Sequence, residues 1–400
     1  MRVGLVMEIL YISCYPSSYF KRLINESKTL SSQPAQKFNK LFVDGFKQNG
    51  VNISVLSTFN HISWDKEKLF VKKEFINENG IKYFFLPSLK IKYLNFIYMH
   101  FALKKFLTRW KRDYPEGIII IDFLKPFSWL ISKYGRGNKI LTIVTDLPEF
   151  LLNDVGDINK IKNKIKLKNY NKVIEYSTHY IFLTEQMNNR LNKDKKPHCI
   201  IEGLVDYNMK KKNEVIQNDT RKICLYSGAL HKKYGIANLV EAFTSTKLKK
   251  YELHLYGTGD YVSELKQVIK KHRNIKYFGN VENTIVVQKQ LEASILINPR
   301  PTNEEYTKYS FPSKNMEYMV SGTPVITTEL PGMPDEYKKY VYLMKGFDVE
   351  DIISSVYEVL TKPDDELKQK GVSARNFVLK DKNNIVQTKK IIDMLKIPQF

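Results

Sequence analysis

The residues best suited to chemistry lie in one stretch, Ile297–Pro331, which reads INPRPTNEEYTKYSFPSKNMEYMVSGTPVITTELP. A strand is predicted to end at Asn298, and after a polar loop the letters FPSK open a helix. Backbone N–H groups and the positive dipole end at a helix start bind anions such as a diphosphate. Lys314 adds a positive charge there, and Glu317, one turn further, is suited to accept hydrogen bonds from both hydroxyls of a ribose. Each residue alone would more often be solvated on the surface, but their combination favours a binding site.

The segments around this stretch predict a doubly wound α/β domain. Apolar strands alternate with helices, which is typical of a parallel sheet covered on both faces. The predicted strands are Lys222–Tyr226, Glu252–Tyr256, Ile275–Phe278, Ile295–Asn298 and Pro324–Thr328, and the predicted helices are Ile236–Phe243, Tyr261–Lys271, Thr284–Ala293, Ser313–Ser321 and Val349–Thr361.

The first half of the chain shows the same alternation. Its helix with the clearest spacing of apolar residues is Gln33–Asn49, and Ile181–Leu183 is expected to be the last strand of this half. The other predicted strands are Arg2–Leu10, Val51–Leu56, Ile81–Leu86, Gly117–Asp122 and Ile140–Val144.

The two alternating halves predict two Rossmann-like domains that face a central cleft. A chain of 400 residues with 43% hydrophobic residues is long enough for two such cores. We expect a first domain over residues 1–200 and a second domain over residues 201–383. Residues 384–400 are expected to form a terminal helix.

The amino-terminal residues and the cysteines indicate the cellular compartment in which the protein is expected. The start of the chain has an apolar run like that of a signal peptide, but Glu8 interrupts it and no small-residue cleavage site follows. No run approaches the roughly 18 apolar residues of a membrane span. The three cysteines, Cys14, Cys199 and Cys224, are far apart and predict no disulfide framework. We therefore expect a cytoplasmic protein.

The charge of the chain points to an anionic partner. The formal net charge is +22, and residues 1–200 carry 33 basic against 17 acidic residues, compared with 31 against 25 in residues 201–400. Acidic lipid headgroups, a pyrophosphate-linked acceptor or nucleic acid would fit, as would a generally lysine-rich proteome. Lys90–Arg112 and Lys160–Lys172 mix apolar and basic residues at helical spacing, which suits either a headgroup interface or packing against the sheet.

The stretch Ile297–Pro331 resembles the family-4 retaining glycosyltransferases of the GT-B fold, in particular the capsule and cell-surface polysaccharide enzymes. The family reads Glu-x7-Glu here, with a phosphate-binding loop between the two acids. Glu317 matches the second acid, so the resemblance assigns it to the donor ribose, and Ser313 and Lys314 fall on the diphosphate loop. Tyr309 stands in place of the first acid, beside the transferred sugar, and departs from the pattern.

A second segment, SGALHKKYGIANLVEAF at residues 227–243, is similar to the family's Gly-Arg…Lys-Gly segment. Ala229 replaces the phosphate-binding arginine and Tyr234 the lysine, which leaves a neighbouring lysine or Arg300 to supply the cation. Arg300 is equally suited to pair with Glu304 or Glu305. The resemblance places Phe278 near the nucleobase. The candidate donor-binding residues are Gly228, Lys232, Lys233, Phe278, Arg300, Ser313, Lys314 and Glu317.

The candidate acceptor-binding residues lie in the first half. Asp122 and Asp146 each follow an apolar strand, so both are expected at the carboxyl edge of the sheet. There either could orient an acceptor hydroxyl, or could simply be a helix cap or turn residue. Asp146 and Tyr309 are the candidate catalytic residues, and no histidine is assigned as a base. The candidate acceptor-binding residues are Gln33, Lys37, Asp122 and Glu149.

The resemblance implies that residues 1–200 form the acceptor-binding domain, that residues 201–383 form the nucleotide-sugar-binding domain, and that the terminal helix crosses back to the first domain. It further implies transfer of a sugar from a nucleotide-sugar donor to a glycan or polyprenyl-pyrophosphate-linked acceptor in surface polysaccharide synthesis, with retention. Nothing resembles a DxD metal site, so we expect no metal and no cofactor. An anionic membrane surface, the inner face of the plasma membrane, is a further expected partner. The alternatives are a weakly active paralogue acting as a partner subunit and a nucleotide-sugar epimerase of the same fold. Nucleic acid is not expected, because no helix-turn-helix, finger or RNA-recognition pattern is present.

Overall fold

In the computed structural model, which describes residues 7–13, 33–57, 70–71, 74–89, 91–123, 127–153, 161–211 and 222–397, the chain forms two compact units. Unit 1 consists of Met1–Leu204 and Asn384–Phe400, and unit 2 consists of Val205–Asn383. The carboxy-terminal helix therefore belongs to unit 1.

Unit 1 is built on a largely parallel sheet. Its described strands are β1 (Ile9–Ile12), β2 (Ile53–Ser57), β3 (Phe70–Val71), β4 (Glu74–Glu78), β5 (Ile81–Phe85), β6 (Ser88–Leu89), β7 (Ile118–Asp122), β8 (Lys139–Val144), β9 (His179–Phe182) and β10 (His198–Ile200). Eight of them form one sheet in the order β10-β9-β8-β7-β1-β2-β5-β4, in which only β4 is antiparallel to its neighbour. The strands β3 and β6 form a separate antiparallel pair.

Unit 2 is built on a fully parallel sheet of six described strands. These are β11 (Ile223–Ser227), β12 (Glu252–Tyr256), β13 (Ile275–Tyr277), β14 (Ile295–Asn298), β15 (Val325–Thr327) and β16 (Tyr342–Leu343). Their order is β13-β12-β11-β14-β15-β16. The chain thus moves outward from β11 to one side, returns, and continues from β14 to the other side, so the strand order reverses between β11 and β14. In doubly wound sheets, ligands bind at such a switch point.

Helices connect the strands of both sheets. Those of unit 1 are α1 (Gln33–Gln48), α2 (Lys92–Asp113), α3 (Ser128–Gly135), α4 (Pro148–Asn153), α5 (Ile161–Tyr176) and α6 (Glu185–Leu191); those of unit 2 are α7 (Ile236–Ala242), α8 (Val262–Lys271), α9 (Asn283–Glu292), α10 (Ser313–Ser321), α11 (Asp335–Lys338), α12 (Val349–Leu360) and α13 (Asp364–Asp381); and α14 (Asn384–Leu395) returns to unit 1. None of these described helices is both long and apolar enough to span a bilayer.

The core of unit 1 explains why α14 belongs there. The apolar face of α1 contributes Phe42 and Phe46, which are fully buried against β1 and β2. Ile391 and Leu395 of α14 are buried in the same cluster. Gly45 of α1 permits this close packing, because an added Cβ would lie 2.4 Å from the Asn384 carbonyl oxygen.

Several sequence predictions need correction. The first strand, predicted as Arg2–Leu10, is Ile9–Ile12 among the described residues: residues 7 and 8 are not part of it, and it ends two residues later than predicted. The predicted residues 2–6 lie outside the described residues. Glu8 is buried directly before the strand, where Ser54 donates a hydrogen bond to the carboxylate. The segment near residue 181 is not the last strand of unit 1, because β10 pairs beside it in parallel. With only three residues, β10 is too short to show a period in the sequence.

Candidate functional site

The switch point of unit 2 lies where β11 and β14 end side by side. Ser227 is the last residue of β11 and Asn298 the last of β14. The Asn298 side-chain amide donates to Asn315 Oδ1 at 2.8 Å, which fixes the start of α10 to the end of β14. The helix start is thereby held at the carboxyl edge of the sheet. The exposed Ser313 is its first residue.

Lys314 reaches across this edge to the neighbouring strand. Its ammonium donates a hydrogen bond to the Ser227 carbonyl oxygen, the last carbonyl of β11. Gly228 leaves the space for this reach, because an added Cβ would lie 2.1 Å from both Cε and Nζ of Lys314. Burial lowers the pKa of Lys314 below its ordinary value, opposed by the negative charge of Glu317 and assisted by the positive charge of Arg300. The site thus holds a partly desolvated cation.

Glu317 lies one turn further along α10 and is joined to β11 through Gln290. The Gln290 side chain, which is almost fully buried, donates to Ser227 Oγ at 3.0 Å and to Glu317 Oε1 at 3.4 Å. Tyr318 holds the same strand end, because its hydroxyl accepts from the Ser227 backbone N–H at 2.9 Å. Glu317 is only partly buried and keeps carboxylate lone pairs for a ligand.

Arg300 follows β14 and is packed between aromatic rings. Its guanidinium carbon lies 4.7 Å from the centre of the Tyr234 ring and 5.5 Å from that of Tyr306. Burial raises the pKa of Tyr306, and Arg300 opposes this rise. Contact with two rings favours a cation at this position, and the charge of Arg300 acts on Lys314, so Arg300 is a second cation of the site.

The loops after β11 and β12 approach each other closely. The backbone N–H of Gly228 donates to the Tyr256 carbonyl at 2.8 Å. At Gly257, whose φ is +126°, an added Cβ would lie 1.8 Å from the Gly228 carbonyl oxygen. Phe278 lies beside this turn, stacked on Tyr256 with ring centroids 4.7 Å apart and 9° between the planes. It remains 43% exposed, so it offers an aromatic face next to the turn.

The remaining donor candidates lie in the segment after β11 and in the segment before α10. Lys232 is exposed and forms an ion pair with Glu264 at 2.6 Å. The ammonium of Lys233 lies 5.7 Å from the Tyr234 ring centre. Tyr309 ends a short 3-10 helix, Glu305–Tyr309, and is partly buried. Electrostatic interactions join Lys314 to Glu317 and Arg300. Lys233 lies over the same Tyr234 ring as Arg300.

The switch point of unit 1 carries a second polar cluster. The strand order of its sheet reverses between β1 and β7, and Asp122 is the last residue of β7. Ser13, directly after β1, donates to Asp122 Oδ2 at 2.6 Å, and the Tyr11 hydroxyl lies 3.1 Å from Oδ1. Asn39 of α1 donates to Ser13 Oγ at 2.7 Å and accepts from Tyr11 at 2.8 Å. The carboxylate is thereby fixed at the carboxyl edge of the sheet.

The other candidates in unit 1 are more dispersed. Asp146 is exposed two residues after β8, and Lys37 is exposed on α1. Glu149 on α4 forms a 2.6 Å ion pair with Arg190, which leaves its carboxylate partly occupied. Gln33 begins α1, and its side chain lies outside the described residues.

The structure also identifies residues that sequence reasoning missed. Gln290, Tyr318, Ser13, Tyr11 and Asn39 all form part of the two clusters. Ser13 follows an apolar strand as Asp122 does, and this position was a usable signal. Nothing local marks Gln290, whose partners come from β11 and α10. Among the described residues, no group of three or more histidine, cysteine, aspartate or glutamate side chains is placed to hold a metal ion.

Comparisons with known proteins agree with this architecture. Residues 208–376, nearly all of unit 2, match the family model for glycosyl transferases group 1. Solved structures match almost the whole chain. The chain has the GT-B fold. No curated protein sequence matches it.

Three solved GT-B structures illustrate the likeness. Sucrose-phosphate synthase from Thermosynechococcus elongatus matches with a TM-score of 0.66 at 14% identity, over 98% of this chain and 99% of that one. HepE from Anabaena, in complex with UDP, matches with a TM-score of 0.63 at 12% identity, over 98% and 100%. The catalytic domain of starch synthase IV from Arabidopsis thaliana, bound to ADP and acarbose, matches with 0.64 at 9% identity, over 98% and 99%.

Proposed function

We propose that the chain is a glycosyltransferase that moves a sugar from a nucleotide-sugar donor to a glycan or lipid-linked glycan acceptor. The observation that carries the proposal is the cluster of Lys314, Glu317 and Arg300 at the switch point of unit 2. This cluster lies within the residues that match the glycosyl transferase family model. The UDP in HepE and the ADP in starch synthase IV support a nucleotide as a ligand of this chain.

The donor site combines a cationic and an anionic half. The start of α10, Lys314 and Arg300 supply positive charge, which suits the diphosphate that leaves with the electron pair of the broken anomeric bond. We propose that this charge makes a metal unnecessary. Glu317 lies deeper along α10 and would accept hydrogen bonds from the ribose hydroxyls. The exposed face of Phe278 would stack on the nucleobase.

The acceptor site is proposed at the switch point of unit 1. Asp122 is held in place by Ser13 and Tyr11, and a fixed carboxylate is suited to orient an acceptor hydroxyl for attack on the anomeric carbon. Asp122 is therefore a better-supported candidate than the exposed Asp146. The resemblance to capsule and cell-surface polysaccharide enzymes supports retention of configuration and a surface glycan as product.

The donor assignment is tested by calorimetry with UDP, GDP and ADP and their 2′-deoxy forms. Because a hydrogen bond to a charged group contributes about 1.5–3 kcal/mol, the preferred nucleotide should lose at least about tenfold in affinity without its 2′-hydroxyl. Glu317→Gln should bind both forms about equally and weakly. The control is Glu292→Gln, a partly buried glutamate on α9 paired with Lys289, which should bind like wild type.

Two outcomes would contradict the proposal. If the folded protein binds none of the nucleotides or nucleotide sugars, the chain is better explained as a partner subunit. If it binds a nucleotide sugar and epimerises it without transferring the sugar, the chain is an epimerase of the same fold.

A further inference from the structure

One face of unit 1 is formed by three neighbouring helices. The helix α2 packs against α3, and α3 packs against α5. Their inner sides are apolar and buried, as shown by Leu103 and Leu107 of α2, Leu130 of α3 and Val173 of α5. The opposite sides of α2 and α5 are directed to solvent, yet they are not uniformly polar.

The outer side of α2 begins with exposed apolar residues. Leu94, Ile97 and Phe101 follow the spacing i, i+3, i+7 and therefore share one side of the helix. They are 52%, 53% and 65% exposed. The same side continues with the exposed Lys104 and Lys105. The helix thus presents an apolar half followed by a basic half.

The outer side of α5 repeats this combination. Ile161 is 77% exposed and Ile165 is 55% exposed, which are high values for isoleucine on a globular surface. The exposed Lys164 and Lys168 lie beside them. We call the solvent-facing sides of α2, α3 and α5 together the basic-apolar face.

The charge of these helices is strongly one-sided. Six basic residues lie on α2, one on α3 and five on α5, against a single acidic residue on each of α2 and α5. The acid of α2, Asp113, forms an ion pair with Arg112 at the far end of the helix. A second copy of this face would be repelled by its charge. Nucleic acid would satisfy the lysines but leave the apolar residues in water.

We propose that the basic-apolar face docks the protein onto a bilayer that contains anionic phospholipids. Lysines attract the phosphate groups of such a surface, and side chains of the size of phenylalanine, leucine and isoleucine gain by entering the boundary between headgroups and acyl chains. A bilayer is the partner that satisfies both kinds of residue on one surface. This inference does not depend on the donor chemistry, since the face belongs entirely to unit 1.

The test is flotation of the full chain with vesicles of phosphatidylcholine alone and with vesicles that also contain phosphatidylglycerol. We expect binding only to the anionic vesicles, and weaker binding at high salt. The variant Lys104→Gln/Lys105→Gln should bind about 25-fold more weakly, at about fivefold for each lysine near the surface. The matched control, Lys266→Gln/Lys270→Gln, removes two exposed lysines from α8 of unit 2 and should bind like wild type.

A second variant tests the apolar residues. Leu94→Ser/Ile97→Ser/Phe101→Ser keeps every charge, yet it should weaken binding by at least about tenfold. The control Ile285→Ser/Val372→Ser changes exposed apolar residues of unit 2 and should have no effect. All variants should bind nucleotide like wild type, because none changes the proposed donor site. Failure of membrane docking is thereby distinguished from failure of the proposed transferase function.

Three results would overturn the proposal. The first is equal binding to neutral and anionic vesicles. The second is binding to anionic vesicles that both unit 1 variants leave unchanged. The third is a dimer in sedimentation analysis that the Phe101 variant converts to monomer, because the face would then be a contact between two copies of the chain.

Discussion

Replacing Lys314 by methionine tests whether this residue of the proposed donor site contributes to ligand binding or to the stability of the fold. Methionine keeps most of the length of the side chain but removes the ammonium and its hydrogen bond to the Ser227 carbonyl. That bond contributes about 1.5–3 kcal/mol, and removing the ammonium also removes the cost of its desolvation, which is the main cause of its lowered pKa and opposes the loss of the bond. The free energy of unfolding should therefore change by less than about 1 kcal/mol.

Nucleotide affinity should respond very differently to the same change. A lost charge-assisted hydrogen bond to the diphosphate is expected to raise Kd by roughly 10- to 150-fold. Calorimetry measures Kd, and thermal denaturation measures stability on the same sample. Lys289→Met, which removes an ion-paired surface lysine of α9, is the control and should change neither quantity much.

Two results would refute this reasoning. If Lys314→Met lowers stability by several kcal/mol and leaves nucleotide affinity unchanged, Lys314 is a structural residue. If Lys232→Met weakens binding more than Lys314→Met does, the diphosphate cation is supplied by the loop after β11 instead.

Three further predictions concern pH, a turn and the acceptor side. Burial lowers the pKa of Lys314 below its ordinary value of 10.5, and the diphosphate binds its charged form. The Kd for nucleotide should therefore rise as the pH increases through that lowered pKa. Calorimetry of Lys314→Met over the same pH range should lack this rise. Gly257→Ala should lower the free energy of unfolding by about 3 kcal/mol, because the added Cβ would clash with backbone atoms. Gly279→Ala, which has open space at φ +74°, should lower it by only about 1 kcal/mol. Thermal denaturation measures both. Asp122→Asn should slow sugar transfer by at least about 100-fold and leave the Kd for nucleotide unchanged. Ser13→Ala removes a hydrogen bond to Asp122 and should slow transfer by a smaller factor. A changed Kd for nucleotide in either variant would count against an acceptor role.

The sequence by itself determined the alternation of strands and helices and the stretch that carries the donor candidates. The strands β7, β11, β12 and β14 were predicted to within a residue or so, because continuous apolar runs between helices have few other stable arrangements. The position of Lys314 and Glu317 on α10 also followed from local spacing. Local patterns suffice for such features, since a helix start and a strand end depend on neighbouring residues.

Only the tertiary structure decided which polar residues meet at the switch points. Ser13 and Asp122 are 109 residues apart, and Lys314 and Ser227 are 87 residues apart. These pairs meet because β1 lies beside β7 and α10 packs beside the end of β11, and strand order is set by the packing of the whole sheet. Gln290 shows the same limit, because its partners come from two other elements. The sequence determined the helices and strands through their apolar periodicity. The order of the strands in each sheet, which depends on residues far apart in the chain, decided which strand ends combine into a site.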